Sequence, residues 1–96
     1  MIGKIHDVSG NKIFASCDKS LVGKTIITED FEIYFSESFY GDRLLSKEEI
    51  LKYIDGCHSA NIFGEKICNL LLEEKIIVKE SIIYIEKIPH VQIYKV

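Results

Sequence analysis

The stretch CDKSLVGKT, residues 17–25, comes within one residue of a phosphate-binding loop. Gly23, Lys24 and Thr25 match the pattern G-x-x-x-x-G-K-[S/T], but Asp18 stands where the first glycine belongs. Such loops wrap backbone N–H groups around a phosphate and open a helix whose N-terminus favours anions. Here the glycine is replaced by an anion, and the residues after Thr25 favour a strand. We therefore interpret this stretch as a turn that Asp18 caps and Gly23 ends.

The side chains that commonly bind metal are few and scattered. They are His6, His58, His90, Cys17, Cys57 and Cys68. Zinc sites usually pair ligands two to four residues apart. Only Cys57 and His58 are close in sequence, and as direct neighbours at a helix end they point in different directions. The sequence therefore predicts no metal and no cofactor.

A small enzyme remains open as the alternative function. Its site would draw on a cysteine, a histidine and a carboxylate from among Cys17, Asp18, Glu37, His58 and His90. Such a nucleophile needs hydrogen-bond contact with a base, and the base needs a third group to orient it. The distance between these side chains distinguishes an enzyme from a binding module. Asp18 or Glu37 within hydrogen-bond reach of a histidine in a concave pocket would favour catalysis.

Length and composition predict one folded domain over residues 1–96, with 47% hydrophobic and 28% charged side chains. No apolar run reaches the ~20 residues that cross a bilayer, and no signal peptide is recognisable. The three cysteines are odd in number and form no C-x-x-C pair, which favours a reducing compartment. We expect a cytoplasmic protein with no membrane partner.

The charge of the chain argues against a dedicated nucleic-acid binder. The net charge is −3 and the pI about 5.6, whereas nucleic-acid-binding domains usually have a pI above ~9. Residues 25–78 carry five basic and eleven acidic side chains, a net of −6. The flanking segments are basic, with four lysines against two acids in residues 1–24 and three against two in residues 79–96. If the terminal strands share a sheet, their lysines could line one face.

Alternating patterns predict strands at both ends of the chain. IGKIHDV and NKIFASC flank Ser9-Gly10 as a hairpin, FEIYF alternates cleanly, and IIYIE and HVQIYKV are strands with Pro89 between them or on an edge. The middle is helical: Ser46 and Glu49 form a capping box, and Gly56 ends that helix. A second helix is expected from Ser59 or Ala60 to Glu74. The predicted fold class is α+β, a mostly antiparallel sheet with a two-helix insertion.

Two helices joined across Gly56 also invite comparison with a helix-turn-helix. A recognition helix should offer basic or amide side chains to base edges. SANIFGEKICNLLLEEK offers Asn61, Lys66 and Asn69, but its glutamates would repel phosphates. The sequence therefore predicts no DNA partner.

The stretch FSESFYGDRLLS, residues 35–46, is the strongest candidate for a binding surface. It leaves a strand and enters a capped helix, a position where loops often carry function. Phe39 and Tyr40 beside Gly41 are suited to stacking or a protein contact. The alternative is that both rings pack into the core beneath the loop.

Four short motifs together resemble a known family. CDKSLVGK, SESFYG, ANIFGE and PHVQI occur in an order and spacing similar to the archaeal family known as domain of unknown function 424, over nearly the whole chain. Asp42 departs from the pattern, since many relatives carry a second glycine there. The resemblance implies a cytoplasmic archaeal protein near translation or RNA handling, with no assigned reaction and no catalytic residues to carry over.

The function that we expect is a small non-catalytic binding module for protein, RNA or a ribonucleoprotein. Phe39 and Tyr40 would supply contact area, Glu37 and Asn61 polar selectivity, and Lys24 a positive charge. The expected binding residues are Lys24, Glu37, Ser38, Phe39, Tyr40, Gly41, Asn61, Gly64 and His90. A homodimer that continues the sheet through the last strand is a third possibility.

Overall fold

A five-stranded sheet lies at the centre of the structure, a computed structural model whose described residues are 1–95. In chain order the strands and α-helices are β1 (Ile2–Val8), β2 (Asn11–Cys17), β3 (Thr25–Ile27), β4 (Glu32–Tyr34), α1 (Glu37–Tyr40), α2 (Lys47–Gly56), β5 (Ser59–Phe63), α3 (Glu65–Glu73), β6 (Ile83–Ile85) and β7 (Ile88–Tyr94). Two 3₁₀ turns cover Lys19–Leu21 and Lys79–Ser81. No helix in this part of the chain is long and apolar enough to span a membrane.

The order of strands in the sheet is β1-β2-β5-β7-β6. Only β2 and β5 run parallel; the other three pairs are antiparallel. Strands β3 and β4 form a separate two-stranded sheet. The predicted α+β class, with a mostly antiparallel sheet and helices in the middle of the chain, is confirmed.

The local signals read from the sequence form as expected. Ser9 and Gly10, at φ 54° and 86°, make the two-residue turn between β1 and β2. At the start of α2, Glu49 N donates to Ser46 Oγ at 3.1 Å and Ser46 N donates to Glu49 Oε1 at 3.0 Å. This is the predicted capping box, and α2 ends at Gly56.

The predicted start of the second helix is wrong. Residues 59–63 form β5, between β2 and β7, and helix α3 begins only at Glu65, after Gly64. Ala60 and Ile62 are buried on one side of β5, and Phe63 is buried on the other. Burial on both faces makes an apolar run that resembles a helical stripe, so periodicity alone misassigns it. Because β5 separates α2 from α3, the helix-turn-helix comparison is wrong too.

Alternate residues of each strand face two different layers. Phe14, Ile62 and Val91 pack with the core under α2 and α3. Ala15 and Phe63 face the opposite layer, which holds Phe35 and Tyr40 from the β3–β4 and α1 region. This second layer covers only part of its sheet face, and the remainder is the surface from which the candidate site is built.

The terminal lysines do not share one face, contrary to the expectation. Lys4 lies on the same face as Ala15, its partner in β2. Lys12 alternates with Ile13 and therefore belongs to the helix-covered face, as does Lys95, which alternates with Tyr94. Because successive side chains of a strand point to opposite faces, these lysines are divided between the two faces of the sheet.

Pro89 lies within β7 rather than between the last two strands. It pairs with Tyr84 of β6, and β7 lies between β5 and β6, so the predicted position between the strands or on an edge is wrong. Its nitrogen faces Gly64, just past the end of the β5–β7 pairing, where the missing N–H is tolerated. The last strand itself is not the outer strand along its first half, because β6 pairs with Ile88–His90.

Candidate functional site

Asp18 caps helix α3 and occupies two of the backbone N–H groups that a phosphate would need there. Its Oδ2 accepts from Lys66 N at 2.9 Å and its Oδ1 from Ile67 N at 3.0 Å. The predicted turn does form, as a 3₁₀ turn over Lys19–Leu21, but the side chain of Asp18 does not cap it, so that part of the prediction is wrong. The residue that breaks the phosphate-loop pattern occupies an anion position at a helix N-terminus itself.

Gly64 and Gly41 serve close packing. A Cβ on Gly64, at φ 125°, would lie 2.4 Å from Asp18 Cγ. A Cβ on Gly41, at φ 89°, would lie 2.8 Å from the carbonyl oxygen of Gly3. Both positions require glycine because of the backbone conformation and the neighbouring atoms.

The two histidines named for the enzyme alternative make their hydrogen bonds with the backbone and not with a carboxylate. His58 Nδ1 accepts from Lys12 N at 3.0 Å, and His90 Nδ1 donates to Ile62 O at 2.8 Å. No hydrogen bond within residues 1–95 joins a carboxylate to a histidine. Burial, with the nearby Asp18 carboxylate, raises the pKa of the Cys17 thiol to about 12, so the thiol is neutral at physiological pH.

The other thiols and the carboxylates assemble no alternative centre. Cys57 and Cys68 are also buried and free. The pKa of Cys68 is raised to about 11, mainly by burial and to a lesser extent by the negative charge of Asp18. Across the described chain, no three His, Cys, Asp or Glu side chains are grouped so as to share a metal ion.

Tyr40 and His90 are buried residues of the core. Tyr40 is 3% exposed, with its ring centroid 5.5 Å from that of Phe35. His90 is buried, with its ring stacked on Phe63 at 3.9 Å between centroids. The contact role expected for Tyr40 is therefore wrong, because α1 turns this side chain inward while Phe39 stays at the surface.

Three predicted residues line a cleft beside α1. The cleft of about 500 Å³ is lined by Gly3, Lys4, Glu37, Ser38, Gly41, Asp42 and Arg43. Lys4 Nζ donates to the carbonyl oxygen of Ser38 at 3.1 Å, and Arg43 pairs with Glu49 at 2.9 Å. Because both cations have partners and two acids share the lining, this cleft is poorly suited to binding an anion.

Lys24 stands apart from the other predicted residues. It is exposed at the entry to β3, where its carbonyl oxygen accepts from Phe35 N at 3.0 Å. No hydrogen bond or ion pair among residues 1–95 joins its side chain to the rest of the predicted set.

The open part of the sheet brings Phe39 and Asn61 together. They line a groove of about 230 Å³, which we call the sheet groove, with Ile13, Ser59, Ala60, Gln92 and Tyr94. Phe39 is 39% exposed and its ring stacks on His6 at 4.7 Å between centroids. His6 Nε2 also donates to the carbonyl oxygen of Phe39 at 2.7 Å. The ring of Phe39 is thereby held in place at one end of the groove.

Asn61 carries a buried hydrogen-bond acceptor with no partner. Its Oδ1 atom is inaccessible to solvent and accepts from no group in residues 1–95. Unpaired buried acceptors are rare in folded proteins and cost about 1–3 kcal/mol. Because Asn61 as a whole is only half-buried, a turn of its amide group toward the surface would let a donor on a bound ligand satisfy this acceptor.

Sequence reasoning missed the other residues of the sheet groove. Ser59, Gln92 and Tyr94 are neighbours across β5 and β7, because Ser59 pairs with Tyr94 and Asn61 with Gln92. The Tyr94 hydroxyl also donates to Gln92 Oε1. The alternation in HVQIYKV indicated that Gln92 and Tyr94 share a face, but only the pairing of β5 with β7 places that face beside Asn61.

His90 makes stability dependent on pH. Burial lowers the pKa of His90, and the hydrogen bond to Ile62 only partly opposes this. The native state therefore binds fewer protons than the unfolded chain, whose histidine has a pKa of about 6.5. We expect the free energy of unfolding to fall as pH drops through 6.5, by at most about 1.4 kcal/mol per pH unit for one proton.

Urea denaturation of the wild type and of His90→Gln between pH 5 and 8 measures this dependence. The variant keeps an N–H donor for Ile62 and still carries His6 and His58, so the difference between the two curves isolates His90. Curves that run parallel across this range would contradict the expectation.

Comparison with known proteins adds a family and a fold. A family model described as "Protein of unknown function (DUF424)" matches residues 6–96. The crystal structure of an uncharacterised conserved protein from Methanopyrus kandleri, an archaeon, is similar with a TM-score of 0.81 at 22% identity, covering 97% of this chain and 89% of that chain. At that identity the likeness shows the fold alone. No curated protein matches the chain.

Proposed function

We propose that this chain, which belongs to the family of proteins of unknown function DUF424, is a non-catalytic binding module that docks a protein partner on its sheet groove. The observation that carries the proposal is the unpaired, buried Oδ1 of Asn61 in the floor of an open groove beside an exposed phenylalanine. A partner that covers the groove would pack against Phe39 and, once the amide group of Asn61 turns outward, would donate to its Oδ1. Tyr94, 73% exposed at the other end, would add contact area.

The charge of the groove favours a protein over RNA. None of its seven lining residues is charged. Binding to nucleic acid depends strongly on cations that neutralise phosphates, whereas the central part of a protein interface is depleted of charge and enriched in aromatic residues. The acidic side chains of α2 and α3 lie on the opposite side of the sheet. The groove therefore favours a protein partner over RNA or a ribonucleoprotein.

The cell compartment is part of the proposal. Three buried, unpaired cysteines fit a reducing environment. We therefore propose that the module is cytoplasmic. In its most specific form, the proposal is that the module acts in translation or RNA handling.

Replacement of two groove residues tests the proposal. We expect Phe39→Ala and Asn61→Leu each to weaken capture of the partner at least tenfold when the tagged chain is used for affinity purification from archaeal lysate. Asn61→Leu should leave the free energy of unfolding unchanged or raise it, because an apolar side chain of similar size removes an unpaired buried acceptor. Lost binding without lost stability is typical of a residue retained for function.

Phe31→Ala is the matched control, since Phe31 is similarly exposed, at 47%, on the β3–β4 hairpin. It should capture the same partner as the wild type. Ribonuclease treatment separates the partner classes: a partner that survives it supports protein docking, and one that is released by it supports RNA-mediated binding. Capture that is equal in wild type, Phe39→Ala and Asn61→Leu would contradict the proposal.

A further inference from the structure

The outer edge of β7 is open beyond the point where β6 ends. Lys95 N donates to His58 O at 3.0 Å and Gly64 N to Pro89 O at 2.9 Å, so the odd-numbered residues of β7 bond to β5. By the alternation of an antiparallel ladder, His90, Gln92 and Tyr94 direct their backbone groups to the other side. β6 pairs there with His90 and no further.

The chain leaves this edge instead of continuing along it. Residues Lys79–Ser81, which precede β6, form a 3₁₀ turn in which Ser81 N donates to Val78 O at 3.0 Å. Within residues 1–95, no strand therefore pairs with the backbone of Gln92 and Tyr94 on this side. An unpaired strand edge is a template for another extended chain, and proteins usually block such edges.

The opposite edge of the sheet is blocked in part. At β1, Ile2 forms a bridge with Leu44, and Leu45 N donates to Met1 O at 2.9 Å. At β7 a notch of about 430 Å³ lies beside the open backbone instead, lined by Ser81, Ile83, His90, Val91 and Gln92. Gln92 belongs to both the notch and the sheet groove, so the open edge and the proposed binding surface are continuous.

Charge at one end of the edge indicates what kind of chain would fit. Lys95 follows Tyr94 directly and its Nζ donates to the backbone carbonyl of Asp55. The two ion pairs of residues 1–95 join other side chains, so within these residues no side-chain carboxylate pairs with Lys95. An acidic side chain on a partner lying along Gln92 and Tyr94 would complement it.

We infer that the partner binds by strand addition: an extended peptide segment pairs with the backbone of Gln92 and Tyr94 and places alternate side chains toward the sheet groove. Among its other side chains, which point to the helix-covered face, an acidic residue lies beside Lys95. This inference rests on the proposed function and specifies the conformation and charge of the partner. Strand addition takes affinity from backbone hydrogen bonds and specificity from pockets for alternate side chains.

Two proline variants test the inference. Gln92→Pro removes an N–H that points outward and leaves the β5 ladder intact. Ile5→Pro is the matched control, because Ile5 also lies on an outer edge of the same sheet, on β1, with its N–H directed away from β2. Ten-residue peptides are selected from a random display library on the tagged full chain, and their affinities for each variant are measured by fluorescence anisotropy.

We expect selected peptides to be rich in β-branched residues with an Asp or Glu near one end. They should bind Gln92→Pro at least tenfold more weakly, Lys95→Glu several-fold more weakly, and Ile5→Pro as tightly as the wild type. In the wild type, the same peptides should slow hydrogen exchange of the Gln92 and Tyr94 amides, a readout that does not depend on how well Gln92→Pro folds.

Three outcomes would overturn the inference. One is selected peptides that do not protect these amides. Another is protection that rises with protein concentration without peptide, which would assign the edge to a second copy of the chain. The third is a lysate partner that depends on Phe39 and Asn61 but binds Gln92→Pro normally, which would leave the proposed function standing while removing strand addition.

Discussion

Gly64→Ala is expected to cost roughly 3–5 kcal/mol of folding free energy, from the combination of backbone strain and overpacking. Gly64 has a φ of 125°, a region that other residues rarely adopt, and a Cβ there would lie 2.4–2.8 Å from the Asp18 carboxylate. The carboxylate would have to move away from the N–H groups of Lys66 and Ile67 that it caps. Chemical denaturation of the variant and the wild type measures the loss.

A double-mutant cycle with Asp18 separates the two causes. Asp18→Ala alone should cost about 1–2 kcal/mol as a lost helix cap. In the presence of Gly64→Ala, the same change relieves the clash, so the double variant should be more stable than the sum of the single losses implies. Strict additivity would contradict the packing of Gly64 against Asp18.

Gly23→Ala is the control for backbone strain without a clash. Gly23 has a φ of 83°, and a Cβ there would meet no atom within 4 Å. We expect a cost of roughly 1–2 kcal/mol from the left-handed conformation alone. If Gly23→Ala proves as damaging as Gly64→Ala, contact with Asp18 is not the main cause.

Tyr40→Ala is expected to cost about 3–5 kcal/mol, as for other large buried aromatic side chains. The ring is 3% exposed, and its centroid lies 4.9 Å from that of Phe39 and 5.5 Å from that of Phe35. Removing it would leave a cavity between α1 and the sheet. Thermal unfolding should show a fall in Tm on the order of 15 °C for a domain of this size.

Two further substitutions make the Tyr40 prediction specific. Tyr40→Phe keeps the ring, so it should retain most of the stability. Tyr34→Ala removes a tyrosine that is 60% exposed on β4 and should change stability by less than about 0.5 kcal/mol. A Tyr40→Ala protein as stable as Tyr34→Ala would mean that α1 does not pack as described.

The different environments of Phe39 and Tyr40 change how the two should be tested. A combined Phe39→Ala and Tyr40→Ala variant would lose stability through Tyr40 and binding through Phe39, and the two effects could not be told apart. The single Phe39→Ala change removes a ring that is 39% exposed on the sheet groove. It is therefore the change that reports on binding.

Family membership, the first hairpin turn and the start of α2 were determined by the sequence alone. The resemblance to the domain of unknown function 424 is confirmed by the family match over residues 6–96. The turn at Ser9-Gly10 and the capping box of Ser46 and Glu49 formed where predicted. These elements can be predicted from the sequence because their interactions join residues within a few positions of each other.

Residues far apart in the chain decided the rest. ANIF became the strand β5 because β2 and β7 pair with it on both sides, which overrides its helical pattern. Asp18 capped a helix 48 residues away rather than its own turn. The sheet groove joins Phe39, Asn61 and Gln92 from three elements, so only the order of strands could bring them together. Neighbouring residues determine the local conformational preference of a segment. Which segments contact each other depends on burial and strand pairing across the whole chain.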